Sequence, residues 1–198
     1  MAEYSLNSPL TTAEVVQLQV GDKVYINGHI YGLRDATLIR MFDQKIKAPA
    51  DLTGALCLHT APNVEKIGPG KYKKVCVGTT TSTRMDRFTE GLLTEYGVKA
   101  IIGKGGQYEK GTRALKEHKG IYLSIVGGAA SLETTQIEEI EEVWWEDLFP
   151  ECLWKFKVKD FGPLIVSIDS HGNNLYFQVK ERAKQKIKNL IASRLEAI

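Results

Sequence analysis

A chain of 198 residues, 43% hydrophobic and 25% charged, has the apolar content to bury a core, which excludes disorder as the starting assumption. Its net charge of +2 balances 26 basic against 24 acidic residues without a basic stripe, so it carries no electrostatic footprint for nucleic acid. The N-terminus lacks the charged and apolar regions of a signal peptide, and the run YLSIVGGAASL is far short of the ~20 residues of a membrane span, so a cytoplasmic protein without nucleic-acid or membrane partners is expected.

Residues 1–20 read as a lead-in segment with a short helix, opened by the capping-box pattern Thr11-Thr12-Ala13-Glu14 and ended at Gly21-Asp22. DKVYING and HIYGL are predicted as a hairpin turning at Asn27-Gly28. RDATLIRMFDQKI follows as a helix with Ala36, Ile39, Met41 and Phe42 on one face. ALCLHT and KKVCVGT are predicted strands, separated by APNVEKIGPGKY, whose Gly-Pro-Gly marks a tight reversal. The stretch GTTTSTRMD, Gly78 to Asp86, then sets five consecutive hydroxyl side chains before a helix whose Met85, Phe88, Leu92 and Tyr96 form one buried stripe. VKAIIG is a strand, YEKGTRALKEH a helix, GIYLSIVGG a strand and AASLETTQ a short helix. IEEIEEVWW, KFKVKDF and PLIVSID alternate as antiparallel strands, with IEEIEE an acidic solvated edge. A turn at Gly172-Asn173-Asn174 leads into a closing helix over 177–196. The chain, 1–198, is predicted to be a single α/β domain with a mixed sheet, or two packed sheets, around a central βαβαβ portion.

Two loops of that central portion share one form. KVCVG ends at Gly78 before the hydroxyl run, and VKAIIG ends at Gly103 before Lys104-Gly105-Gly106. If the two strands are parallel neighbours, both loops emerge at the carboxyl edge of the sheet, where open α/β sheets bind ligands. A helix start near Ser82 or Thr83 favours an anion, and Arg84 in the first turn opposes the helix dipole, so it calls for another reason to be there. A carboxylate gripped by Arg84, with Lys104 as a point charge and Arg34 repeating the theme at the first helix start, supplies one. The bland readings stand beside this: the hydroxyl run as a plain N-cap loop, and Arg34-Asp35 as a surface pair.

Other polar and aromatic groups are read more plainly. His59 and His171 are structural or substrate-orienting, and Asp169 with His171 is too generic for a dyad. Cys57 and Cys76 are expected as buried core thiols; with Cys152 they form no metal-binding spacing. Trp144, Trp145 and Trp154 belong to the core or to a partner interface.

LRDAT, GTTTSTRMD, VKAIIGKGG, TTQIEEIEEVWWEDL and VKDFGPLIVSIDSHGNN, in this order over nearly the whole chain, resemble the β subunit of two-subunit class I (iron–sulfur) fumarate hydratases and L(+)-tartrate dehydratases. The same unit forms the C-terminal domain of single-chain class I fumarases. The resemblance implies a swivelling β/β/α domain that packs against an α subunit in an α2β2-type assembly. The α subunit carries a 4Fe-4S cluster, and this chain alone binds none. The implied reaction is reversible hydration of fumarate to L-malate, with dehydration of L(+)-tartrate to oxaloacetate as the alternative; a non-catalytic anion-binding or assembly module is the reading from another class.

Position by position, the resemblance makes Arg34, Arg84 and Lys104 ligands of a dicarboxylate substrate. It makes Thr80 the base that removes the proton at C3, a role that needs nearby cations to stabilise an alkoxide-like oxygen. Thr79 stands where the family often has proline, and Thr83 where it often has a small residue.

Overall fold

The protein is described from a computed structural model over residues 1–125 and 130–195; the end of the predicted strand beyond residue 125, the start of the next predicted helix and residue 196 of the closing helix lie outside the described residues. In chain order the elements are β1 (Glu3–Asn7), α1 (Thr12–Gln17), β2 (Lys23–Leu33), α2 (Asp35–Leu38) and a π-helical turn (Ile39–Asp43). Then come β3 (Leu56–His59), β4 (Asn63–Gly68), β5 (Lys71–Cys76) and a 3-10 segment (Ser82–Phe88) that runs into α3 (Thr89–Thr94). β6 (Ala100–Gly103), α4 (Glu109–Glu117), β7 (Ile121–Ser124), α5 (Ala130–Thr135), β8 (Ile137–Trp144), β9 (Leu153–Ile168) and α6 (Leu175–Leu195) follow.

The described residues form a mixed seven-stranded sheet in the order β1-β2-β3-β6-β7-β9-β8, with β1, β2, β3, β6 and β7 parallel. β9 runs antiparallel to β7 and also to β2, which closes β2-β3-β6-β7-β9 into a barrel-like ring. β9 pairs with β2 along one edge and with β8 and then β7 along the other, changing partner across a bend at Asp160 and Gly162, both at positive φ. KFKVKDF and PLIVSID are therefore one long strand, and the predicted break between them is this bend.

Strands β3 and β6 are buried at every residue, which is why they read as unbroken apolar runs. Their side chains alternate between two cores. Leu56, Leu58, Ala100, Ile102, Ile121 and Leu123 fill the ring with Phe156 and Val166. Cys57, Ile101 and Tyr122 face outward into a helix layer of Leu38, Met41, Met85, Phe88, Leu92 and Leu115. Each fully buried aliphatic side chain in these layers contributes about 1.5–3 kcal/mol.

Several expectations change here. The lead-in segment contains β1, paired in parallel with β2, and then the predicted helix, whose Thr11 and Glu14 form the capping box. Asn27-Gly28 is not a hairpin turn: β2 runs straight through it. Gly28 (φ +98) absorbs a bulge where the register against β9 shifts, and a Cβ there would lie 3.1 Å from the Ser8 carbonyl oxygen. The helix after Leu33 is short and widens into the π turn, which rotates Ile39 out to solvent while Met41 stays buried. Cys76 is half-buried, unlike Cys57. Trp154 belongs to the ring core, stacked on Phe156, whereas Trp144 and Trp145 are half-buried. The acidic edge is solvated as expected and laced to its neighbour by Lys155 and Lys157.

The larger correction concerns the strand before the hydroxyl run. β5 pairs with β4 in a separate two-stranded hairpin, reversed at the Gly-Pro-Gly turn, and is no neighbour of β6. The parallel neighbour of β6 is β3, so the central βαβαβ portion is β3, α3, β6, α4 and β7 with a hairpin inserted after its first strand.

Candidate functional site

The registers of the parallel strands bring three chain positions to one rim of the ring. Leu33 pairs with His59, and Leu58 pairs with Ile102, so Arg34 beyond β2, Thr60 beyond β3 and Lys104 beyond β6 emerge side by side at the carboxyl ends. The hydroxyl loop returns from the β4–β5 hairpin and inserts between two of these ends. Thr80 donates its N–H to the His59 carbonyl at 2.8 Å, and Ser82 donates to the Lys104 carbonyl at 2.8 Å; Thr81 and Lys104 form a parallel bridge. The loop thus behaves as one residue's worth of extra strand between β3 and β6. The predicted convergence of Thr79–Thr83, Arg84 and Lys104 is present, but this insertion produces it rather than a β5–β6 pairing.

The helix-dipole part of the sequence argument does not survive. The segment that starts at Ser82 is a 3-10 turn without a side-chain cap, and its first N–H is spent on Lys104. Cations, not free N–H groups, give the rim its character.

Asp35 organises them. Its Oδ2 accepts from Arg34 Nε at 3.1 Å and from Arg84 Nη2 at 2.8 Å, so one carboxylate aligns both guanidinium groups. Burial raises the Asp35 pKa, but the hydrogen bonds and charges of Arg34 and Arg84 outweigh it, and the carboxyl is held below its ordinary value. Arg34 also reaches Glu151 Oε1 at 3.3 Å, and Glu151 Oε2 accepts the Ala36 N–H, which ties the start of α2 to the loop ahead of β9. Arg84 Nη2 donates in addition to Thr80 Oγ1 at 3.2 Å. Lys104 is exposed and without an ion pair among the described residues.

All four residues singled out from the sequence therefore lie on one rim: Arg34, Arg84 and Thr80 linked through Asp35 and each other, and Lys104 pinned beside them by its backbone. The first three keep their polar groups partly open, with side-chain exposures of 27% for Arg34 and 49% for Arg84. A broad groove of about 1090 Å³ between Met41 and Gly97 lies elsewhere and is lined by none of the four.

Asp35 was legible only as half of a surface pair; nothing in LRDAT indicates that a second arginine, 49 positions on, shares its oxygen. Asp86, the last residue of GTTTSTRMD, is buried and accepts the N–H groups of Tyr108 at 2.8 Å and Gly111 at 3.2 Å, fixing the 3-10 segment to the start of α4. His171 points its ring to the Val16 carbonyl at 3.0 Å, while Asp169 accepts from the backbone of His171 and Asn173, which makes a turn and not a dyad.

This geometry can bind a carboxylate and polarise a hydroxyl. Two guanidinium groups aligned on Asp35 lie on a rim that also carries the exposed Lys104, and the Thr80 oxygen already accepts a charged hydrogen bond, which favours its deprotonated form.

Comparison with known proteins points the same way. The family model described as Fumarase C-terminus matches residues 1–179. An L(+)-tartrate dehydratase subunit beta of Escherichia coli (strain K12) is 41% identical over 177 residues, covering 89% of this chain and 88% of its own. A Methanocaldococcus jannaschii protein provisionally named L(+)-tartrate dehydratase subunit beta is 36% identical over 194 residues, 96% of this chain and 98% of its own. A Geobacillus stearothermophilus protein provisionally named fumarate hydratase class I is 38% identical over 184 residues, 92% of this chain and 35% of its own.

Proposed function

Because the chain belongs to the fumarase C-terminus family, we propose that it is the β subunit of a class I, fumarase-like hydro-lyase that reversibly hydrates fumarate to L-malate. The observation that carries this reading is the rim on which Arg34, Arg84, Lys104 and Thr80 converge around Asp35. Arg84, Arg34 and Lys104 hold one carboxylate of the substrate. In the dehydration direction Thr80, held as an alkoxide by the hydrogen bond from Arg84 Nη2, takes the proton at C3 of malate, and the hydroxyl so formed returns it to fumarate in the hydration direction. The open side of the rim is closed by an α subunit, and the ring carries the rim as one rigid swivelling body against it.

The donor set of this chain suits a cluster held by that partner. Cys57 and Cys152 are buried with their thiols pushed up by burial, to about 12 and about 11, and the described residues include no group of His, Cys, Asp and Glu close enough to hold a metal. A 4Fe-4S cluster on the α subunit supplies Lewis acidity at the substrate hydroxyl. The residues described above bind the distal carboxylate, orient C3 toward Thr80 and move its proton.

L(+)-tartrate is the second reading, favoured by the names of the relatives at 36% and 41% identity. Anaerobic assembly of this chain with its cluster-bearing subunit, assayed side by side on fumarate, L-malate and the tartrate isomers, tests both. The expected result is turnover of a dicarboxylate by the assembly and none by this chain alone. Full activity from the isolated chain, or an assembly inert to every dicarboxylate, overturns the proposal.

A further inference from the structure

Directly beneath the hydroxyl loop lies a group that the reading above does not use. His59, the last residue of β3, is fully buried. Its carbonyl accepts the Thr80 N–H and, at 3.2 Å, the Thr79 hydroxyl. Its ring Nδ1 is 2.9 Å from Ser82 Oγ. Backbone and side chain of one residue thus grip both ends of the segment that presents Thr80.

The proton positions follow from the donor inventory. Tyr122 Oη, rising from β7, donates to Ser82 Oγ at 3.0 Å. If Ser82 passes its one proton on to Nδ1, at 2.9 Å, Nδ1 is the acceptor and the ring proton lies on Nε2, the tautomer proposed below. Burial, and secondarily the charge of Arg84, push the His59 pKa down to about 3 against the opposing charge of Asp35, so the ring is uncharged wherever the protein works.

Two further observations argue that this triad is more than core filling. The Nε2 atom is buried without a partner among the described residues, and an unsatisfied buried donor costs about 1–3 kcal/mol. An apolar side chain would fill the space without that cost. Gly103, on β6, leaves room for the contact: a Cβ there would lie 2.0 Å from Ser82 Oγ and 3.1 Å from Tyr122 Oη. Only a residue without a side chain lets serine, tyrosine and histidine meet.

We propose that His59, as its Nε2–H tautomer, is a positioning residue of the hydro-lyase site: through Ser82 and its own carbonyl it sets the height and orientation of Thr80, and with it Arg84. The inference rests on the proposed function, because its consequence is a rate. It predicts that disturbing His59 lowers kcat strongly and raises KM less, because Arg34 and Lys104 keep their places at the ends of β2 and β6 while Arg84 moves with the loop.

The experiment has two arms. In the first, 15N-histidine NMR of the full chain follows the ring between about pH 5 and 8. A non-titrating Nε2–H signal that shifts in Tyr122→Phe supports the proposal; a titrating ring or an Nδ1–H tautomer overturns it. In the second, the assembled enzyme is compared with variants. His59→Ala should lower kcat about 100-fold, the scale of a misplacement of roughly 1 Å, with a smaller rise in KM, about tenfold or less, from the displaced Arg84. Asparagine places its amide where Nδ1 stood and glutamine where Nε2 stood, so His59→Asn should recover most of the loss and His59→Gln should not. Recovery by glutamine alone, or a loss confined to KM, overturns the positioning role. If His59→Ala does not fold, Ser82→Ala carries the same expectation. A wild-type assembly inert to every dicarboxylate marks failure of the functional reading, and the NMR arm reads the tautomer independently of it.

Discussion

Replacing Arg84 with alanine removes two things at once, and the structure allows each to be sized. The guanidinium's partners are Asp35 at 2.8 Å and Thr80 Oγ1 at 3.2 Å, which leaves its remaining N–H groups for a ligand. A charge-assisted hydrogen bond to a substrate carboxylate is worth about 1.5–3 kcal/mol. Its hydrogen bond to Thr80 keeps that oxygen in the deprotonated form that takes the proton, and as a charge-assisted bond it too is worth about 1.5–3 kcal/mol. Together these place the loss in kcat/KM at roughly 10²–10⁴-fold, the upper figure being a ceiling because one side chain serves both contacts. Folding should hardly notice. The side chain is 49% exposed, and an exposed ion pair contributes about 0–1 kcal/mol, or up to ~4 °C in Tm for a chain of this size. The assay is steady-state kinetics of the assembled enzyme beside a thermal melt of the chain. Arg84→Lys separates charge from shape: it restores a cation without the planar fork and should recover only part of the loss. A drop in kcat/KM below about tenfold with intact assembly would refute the role given to Arg84.

The remaining predictions test its surroundings. Asp35→Asn should raise KM, since neither arginine keeps its alignment. Because the folded pKa of Asp35 is lowered, its stabilisation is present above the unfolded value of about 3.9 and is lost as pH falls through the folded pKa; melts across pH should show a gap between wild type and variant at pH 7 that closes below about pH 4. Gly103→Ala forces a Cβ against Ser82 and should cost about 1–3 kcal/mol of stability by chemical denaturation. Under native conditions a thiol-modifying reagent should label half-buried Cys76 first, with Cys57 and Cys152 reacting only on unfolding; fast labelling of Cys57 would contradict its burial.

How much was legible in the sequence depended on the range of the interaction that decides each feature. The capping box of α1, the apolar strands β3, β6 and β7 and the Gly-Pro-Gly reversal are settled within a few residues, and they were read correctly. Asn27-Gly28 was misread because a bulge and a hairpin both call for positive φ at glycine, and the choice was made by β9, more than 120 positions away. The placement of β5 was missed for a related reason. A short apolar run before a turn and a helix looks like a βαβ strand whether it enters the main sheet or a side hairpin. Lys71 and Lys73, exposed at alternate residues of β5 on either side of buried Tyr72, were the available sign. Of the site, the charges that cannot be explained locally were visible, Arg84 above all. Asp35 and His59 were not, because each earns its role from partners brought by other strands.

The way the rim is assembled has a consequence for how its parts should couple. Arg34 and Lys104 extend from strands β2 and β6, which are hydrogen-bonded to neighbours along both edges, so their backbones are placed by the sheet itself. Thr80 and Arg84 arrive on a loop that belongs to neither strand; it is held beneath Thr80 where it bonds His59 and Lys104 and where Ser82 meets His59 and Tyr122, and farther along by Arg84 on Asp35 and Asp86 on the start of α4. Any change that loosens one of these attachments displaces Thr80 and Arg84 together, and a second change to the same attachment has little left to disturb. Ser82→Ala and Gly103→Ala should therefore be strongly non-additive in kcat, the double variant being scarcely worse than the poorer single one. Lys104 has no ion pair among the described residues, and its side chain shares no contact with Ser82, so the effects of Ser82→Ala and Lys104→Ala on log kcat/KM should come much closer to adding. A double-mutant cycle on the assembled enzyme measures both pairs. Additivity of Ser82 with Gly103 would show that the loop is held by something other than the serine, histidine and tyrosine contact.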